Sequence, residues 1–403
     1  MKLRQQLFID FYLGTLLHVL LKPFVMLAGR LMRRNHDLTR CRSVTVIKML
    51  GGGSLTIAYP ALVALREAPG IQELRLLTTP AIKPFAEALG IFDDITVIRV
   101  GSLTEICIDT LAAIRRLFLC DAIVDLEIHS RLTTVLALMI CARNRVGFYT
   151  LDSFWRRNLS THLLFCNVTS GTFSFYDQVA ALFGGVVREF VHYQEQFRRL
   201  NGIDRQHSSD GTLRIAIAPC SSDLGRERML LDEDWVTILK RRTLQLAKGS
   251  RLAIRVFGGT ADRIPANRVA DAIRSAFPDA DVVNRAGETR LSQSIRELAQ
   301  MDELICIDSS LMHFSRLLGI VTRSYWGPTD PQSRLRPWPD GGDEVHYVKL
   351  PCSPCIHLTN YPPCRGENIC MRLAVNPESP IERNRPWLVP HEAATRITRG
   401  NAP

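Results

Sequence analysis

The segment Asp308-Ser309-Ser310-Leu311-Met312-His313 sets a carboxylate, two hydroxyls and an imidazole directly after the apolar run Glu303–Ile307. A run of that kind reads as a buried strand. Asp and Ser are good N-cap types, and Leu311, Phe314, Leu317 and Leu318 then recur at helical spacing. A second apolar patch ends at Trp326 and enters the turn Gly327-Pro328-Thr329-Asp330-Pro331. The unit is therefore strand, helix, strand, with a polar helix start at the strand's C-terminal edge. Ligands of open α/β sheets bind at that edge, and amides at a helix N-terminus attract phosphate. Anion binding is the chemistry expected of Ser309, Ser310 and those amides. Asp308 either caps its own helix or touches a sugar. His313, one turn in, either joins the site or packs in the core.

Other strand ends carry matching groups. Ser221 and Ser222 follow the run Leu213–Ala218 and precede Arg226 and Arg228. Hydroxyls and guanidinium groups suit a diphosphate leaving group, whose charge grows as its bond to a sugar breaks. The other reading makes these arginines solvated loop charges. Phe257-Gly258-Gly259-Thr260-Ala261-Asp262 ends another strand, and Asp262 is placed to accept ribose hydroxyls or to cap the next helix. Near the N-terminus, Gly51-Gly52-Gly53-Ser54 follows the β-branched run Ser43–Met49. Such a loop lets backbone amides approach an anion or sugar, or simply makes a tight turn. Asp125, Glu127 and His129 follow the run Ala122–Leu126 and share one side if the strand continues. Glu127 is the candidate general base there, its pKa raised by partial burial. The alternative pairs it with Arg131 or another cation.

Four of the eleven cysteines cluster as Cys352, Cys355, Cys364 and Cys370, a C-x2-C-x8-C-x5-C pattern. The first pair is a good metal knuckle. In a reducing compartment, structural zinc or unligated thiols are the readings, ahead of disulfides. The other seven are scattered, mostly in apolar runs.

These groups need elements to hold them. A chain of 403 residues is long for one core and points to two domains. Strands at Ser43–Met49, Leu74–Thr78, Ile95–Arg99, Ala122–Leu126 and Arg145–Phe148 alternate with helical patterns, one of them from Leu55 to Arg66. A second alternation starts at Leu213–Ala218 and continues at Leu252–Phe257. The expected class is α/β, two Rossmann-like doubly wound parallel sheets. The polar stretch 201–212 marks the boundary, giving domains 43–205 and 206–380, with a segment 1–42 before them and a tail 381–403 after.

Net charge is +10, and residues 1–42 hold eight Lys and Arg against Asp10 and Asp37. A nucleic-acid protein spreads such charge over a folded face. The uneven placement instead indicates an anionic membrane surface and an anionic substrate, with no nucleic acid. The run Leu7–Met32 is apolar but interrupted by Asp10, His18, Lys22-Pro23 and Arg30. That pattern fits a helix lying in the lipid interface, with Arg30, Arg33 and Arg34 at the headgroups. A helix packed on the protein's own core and a tilted single span are the other readings.

The pair of motifs at Asp308–His313 and Gly327–Pro331 resembles the signature of the ADP-heptose lipopolysaccharide heptosyltransferases, glycosyltransferase family nine. The family pattern is Asp-Ser-Gly, two variable residues and His, then Gly-Pro-Thr-Asp about fifteen residues on. Ser310 replaces its Gly. The resemblance runs over residues 43–375 and takes in Pro60-Ala61-Leu62, Asp125-Leu126-Glu127, Arg145-Val146-Gly147-Phe148 and Pro219-Cys220-Ser221-Ser222. It implies a GT-B arrangement, two Rossmann-like domains facing a cleft. It also implies an inverting, metal-independent transfer of a heptose-like sugar from an ADP-heptose-like donor to a lipopolysaccharide-type glycolipid. No cofactor is required for that reaction, and the place implied is the cytoplasmic face of the inner membrane, peripherally bound. In the family a basic residue seven positions before a Trp holds a donor phosphate; here that is Arg228 before Trp235. The family's base is the Asp of Gly-Asp, where Gly53-Ser54 stands. A serine hydroxyl is no base without an activating partner, so Glu127 is expected to substitute. A catalytically inactive member that binds glycan or acts as a membrane scaffold is the alternative.

Overall fold

The computed structural model describes residues 3–32, 35–205, 210–221, 225–244, 250–339, 341–356, 358–359, 362, 364 and 367–378. The chain divides into two compact units. One is Met1–Gly202 with Ser333–Pro337, the other Ile203–Gln332 with Trp338–Pro403. The expected break after residue 205 falls close to this boundary, and the expected tail lies outside the described residues.

The first unit is built on six parallel strands: β1 Ser43–Lys48, β2 Glu73–Thr78, β3 Asp94–Val97, β4 Ala122–Asp125, β5 Asn144–Tyr149 and β6 His162–Phe165. Their order is β3-β2-β1-β4-β5-β6. Val44, Val46, Ile47, Ile123 and Val124 are fully buried, as the central strands of a parallel sheet covered on both faces must be. The chain winds outward from β1 and then returns to lay β4 on its other side. At that reversal the loops leaving the two strands diverge, and a crevice opens at their C-terminal ends. The helix expected over Leu55–Arg66 runs as two consecutive pieces, Gly52–Ile57 and Tyr59–Arg66. Pro60 stands in the first turn of the second piece, where its missing N–H costs nothing.

The second unit repeats the plan with β7 Thr212–Ala218, β8 Arg251–Val256, β9 Asp281–Asn284, β10 Glu303–Ile307, β11 Val321–Trp326 and β12 Asp343–Tyr347. Their order is β12-β11-β10-β7-β8-β9, all parallel, so the reversal lies between β7 and β10. The doubly wound α/β class is therefore present twice. The short strands β6, β9 and β12 were not expected from the sequence.

The segment before β1 folds onto the first unit. Leu3–Met32 is one helix of 30 residues. Asp10 accepts from Ser130 Oγ at 2.6 Å and from the amides of Arg131 and Leu132 at 3.0 Å. It thereby satisfies amides at the start of the helix Arg131–Met139, which have no partner within that helix. A Cβ at Gly14 would lie 2.4 Å from Arg131 Cβ, so only glycine permits this approach. His18 packs on Trp155 with ring centroids 4.4 Å apart. Burial, helped by Arg131 and Arg156, lowers its pKa to about 4, so the imidazole is neutral at neutral pH. Of the three basic residues expected at headgroups, Arg33 and Arg34 lie outside the described residues, and Arg30 is exposed.

Candidate functional site

In the second unit the groups gather at the β7–β10 reversal. Ser221, after β7, donates to the Gly225 carbonyl at 2.7 Å. Arg228 Nε donates to the same oxygen at 3.1 Å. Its Nη1 reaches across to the loop after β10, donating to Asp308 O at 2.9 Å and Asp308 Oδ2 at 3.0 Å. Gly225 allows this, since a Cβ there would lie 2.6 Å from the guanidinium. One arginine thus ties together the two loops that flank the crevice. The solvated-loop reading of Arg228 does not describe it.

Ser309 is the N-cap of the helix Ser310–Leu318, yet its hydroxyl makes no capping bond, and Oγ is buried without a hydrogen-bond partner. Thr329 Oγ1, in the turn after β11, is in the same condition. The sequence singled out that turn but not this hydroxyl. A buried polar atom without a partner is costly, so two of them at one sheet edge mark places where an outside donor or acceptor is welcome. Ser310 is the first residue of the helix and half-buried. His313 is buried within the same helix, as in the packing reading. Asp262 stands at the N-cap of the helix Arg263–Ala276, but its side chain makes no bond to that helix; Oδ2 accepts from Gly259 N at 2.8 Å and braces the turn after β8. Ser222 and the side chain of Arg226 lie outside the described residues.

In the first unit the β1–β4 reversal is bridged in the same way, by a different pair. Glu127 Oε1 accepts from Lys48 Nζ at 2.9 Å, Met49 N at 2.8 Å and Leu50 N at 3.0 Å. This corrects the expectation of a poised base. Burial pushes the Glu127 pKa up, but the Lys48 ammonium and the two amides outweigh it and leave the carboxyl below its ordinary value. Burial alone would lower Lys48, and Glu127 more than offsets that. The cation is Lys48 rather than Arg131. Glu127 holds the start of the glycine loop.

The alternation expected through Glu127 also fails, because β4 stops at Asp125. Asp125 is buried, accepting from Glu127 N at 3.0 Å, Thr133 Oγ1 at 2.9 Å and Arg156 Nη2 at 3.1 Å. Burial pushes its pKa up against the pull of Arg156. Arg156 is fully buried and also donates to the carbonyls of Glu127 and Ser130, so it pins the whole loop. His129, by contrast, is exposed. Partial desolvation of its ring and the nearby Arg156 still lower its pKa, against Asp152 and Glu127.

Gly51 has φ 76°, the left-handed region that glycine favours, and a Cβ on Gly52 would strike the Phe85 ring at 2.5 Å. Gly53 and Ser54 lie in the helix Gly52–Ile57, and the Ser54 hydroxyl donates to Gly51 O at 2.7 Å. Tyr176 is buried near Lys48, Glu127 and Ser54, and burial raises its pKa. Sequence reasoning missed Lys48, Arg156 and Tyr176. A lysine closing an otherwise apolar strand was the one available signal.

The four clustered thiols line one pocket with Pro328, Ser353 and Asn368. Burial pushes Cys355 up to about 11 and Cys370 up to about 12, with the neighbouring thiols adding to the shift. Yet among the described residues no three His, Cys, Asp or Glu side chains are grouped to hold a metal ion. All four are free thiols.

Residues 203–364 match the sequence model of glycosyltransferase family 9 (heptosyltransferase). None of the curated proteins matches the chain. Among solved structures, a family 9 glycosyltransferase from Veillonella parvula aligns with TM-score 0.58 and 16% identity, over 77% of this chain and 87% of that one. ADP-heptose lipopolysaccharide heptosyltransferase II of E. coli aligns with TM-score 0.57 and 15% identity, over 83% of this chain and 98% of that one. E. coli heptosyltransferase WaaC, solved with ADP-2-deoxy-2-fluoro heptose, aligns with TM-score 0.57 and 14% identity, over 89% and 100%. Likeness at such identity speaks for the shared GT-B fold. Over residues 203–364 the chain thus resembles glycosyltransferase family 9 in sequence, and over most of its length it shares the fold of these heptosyltransferases.

Proposed function

We propose that the protein moves a heptose-like sugar from an ADP-heptose-like donor to a lipopolysaccharide-type glycolipid, with inversion and without a metal ion. The observation that carries this is the bridge of Arg228 to Asp308 across the β7–β10 reversal, beside the unpartnered Ser309 hydroxyl at a helix start. A guanidinium and helix amides supply the positive potential that a diphosphate needs. As the acceptor oxygen bonds to the anomeric carbon, the bond from that carbon to the phosphate oxygen breaks. The electron pair leaves on the diphosphate, where Arg228 and the amides of Ser309 and Ser310 stabilise it. Calorimetry with ADP and ADP-heptose in EDTA tests the reading. Binding is expected in EDTA; binding only after magnesium is added would overturn it. Donor binding with no transfer to a heptose-deficient lipopolysaccharide would instead favour the inactive, glycan-binding reading.

The acceptor proton needs a base with an accessible lone pair. Glu127 Oε1 is occupied by three donors, Asp125 is buried, and the Ser54 hydroxyl donates to Gly51 O. His129, exposed after β4, is the group we assign. His129→Ala is expected to lower kcat by about 10²–10⁴-fold while leaving ADP affinity unchanged. In the wild type, kcat/KM should fall as pH drops through the depressed imidazole pKa, because only the neutral ring accepts a proton. A variant with near-normal turnover on its acceptor, or a wild-type profile flat through that range, would remove His129 from the role.

A further inference from the structure

The helix Leu3–Met32 is fastened along one face only. Its contacts with the first unit run from Asp10, through Gly14 against Arg131 and His18 on Trp155, to Met26, whose sulfur lies 3.9 Å from Asn158 Nδ2. At a rise of ~1.5 Å per residue those contacts occupy about 24 Å of its length. The other face is bare and apolar. Phe8, Leu16, Val19, Phe24, Leu27 and Leu31 are all more than half exposed. By length and composition Phe8–Leu31 could cross a membrane. A span needs about 20 residues clear of protein, and the fastened length forbids that while the helix stays docked.

We infer that this helix lies in the plane of an anionic bilayer surface, its bare face in the lipid, and seats the first unit there. Three observations favour lipid as the occupant. The bare face carries no acidic residue between Phe8 and Leu31, since Asp10 is engaged with the helix Arg131–Met139. Lys22 and Arg30 lie on the helix itself, inside the strongly basic first tenth of the chain, which suits anionic headgroups. Exposed apolar side chains are also found on the body of the unit, next to where the helix is fastened. Trp155, which receives His18, sits in the loop after β5, where Leu151 is 95% and Phe154 46% exposed, and the exposed Arg157 lies over the Phe154 ring. That loop leaves the C-terminal edge of the sheet, the edge that also carries the glycine loop and His129. The seating therefore sets the acceptor edge of the first unit at the lipid surface. This deepens the glycolipid reading of the acceptor but does not depend on donor binding.

Co-sedimentation of the full chain with vesicles tests it. One set is phosphatidylcholine alone, the other equal parts phosphatidylcholine and phosphatidylglycerol. Tighter binding to the anionic set, weakened by salt, is expected. The double variant Leu16→Glu/Leu27→Glu should bind the anionic vesicles at least about tenfold less, with melting and donor calorimetry unchanged because both side chains are exposed. Val19→Glu/Phe24→Glu gives a second, independent reading of the same face. Variants that pellet as well as wild type would overturn the inference. So would a wild type that ignores vesicles and self-associates through this face in sedimentation velocity, which would make the occupant a second copy. In membranes from producing cells, an N-terminal tag should be cut by protease added on the side that bears the folded units. A tag protected from that side would mean a span and would also overturn it.

Discussion

Glu127→Gln is expected to lower stability steeply, so that unfolding, rather than a clean loss of kcat, dominates its phenotype. The amide keeps an acceptor for Met49 and Leu50 but leaves the Lys48 ammonium buried without its counter-charge. Removing one member of a buried pair costs roughly 3–5 kcal/mol. In a unit of this size that corresponds to a melting point lower by about 10 °C or more. Replacing both partners, as Lys48→Met with Glu127→Leu, should recover much of the loss, because no charge is then stranded. The pH dependence has a definite sign. The folded Glu127 carboxyl lies below its ordinary value of 4.5, so its contribution is present above that value and fades as pH falls through the folded one. Thermal melts of the two single variants and the double variant, with a pH series on wild type, measure all of this. A Glu127→Gln protein with wild-type melting but turnover reduced by about 10²–10⁴-fold would return the base role to Glu127.

Arg228→Ala should lower kcat/KM by about 10²–10³-fold, the range seen when one donor to a developing oxyanion is removed. The charge on the diphosphate grows in the transition state, so loss of kcat should exceed loss of ADP affinity. Arg228→Lys separates charge from shape. It keeps the cation but cannot bond the Gly225 carbonyl and Asp308 at once, so an intermediate defect is expected. Melting must be followed in parallel, since Asp308 is only 5% exposed and loses its bond to Arg228 in the alanine variant. A variant with normal stability and normal donor kinetics would reduce Arg228 to a brace between two loops.

The sequence by itself determined where the main strands and turns lie. Ser43–Lys48, Thr212–Ala218 and Glu303–Ile307 are apolar, β-branched runs ended by polar or glycine-rich turns, and such signals act locally. Ser309 as N-cap was legible for the same reason. The strands at His162–Phe165, Asp281–Asn284 and Asp343–Tyr347 were not. They are four or five residues long, half of them or more lack full burial, and they owe their existence to a neighbour that offers a ladder.

What each charged side chain does was decided only by tertiary structure. Lys48 meets Glu127 across 79 positions of chain, and Arg228 meets Asp308 across 80. Both meetings exist because each sheet reverses its winding, which brings β1 beside β4 and β7 beside β10. No local pattern encodes that adjacency. A carboxylate read in isolation looks like a base or a ribose ligand, and becomes an anchor only when its partner is known. The cysteine spacing is the same lesson in covalent form. The C-x2-C knuckle was readable, but whether four thiols converge depends on where the helix Ile369–Val375 carries Cys370. The N-terminal helix completes it: its apolar length was plain in the sequence, while Asp10, Gly14 and His18 revealed which face is fastened and which is left bare only once Arg131 and Trp155 were in place.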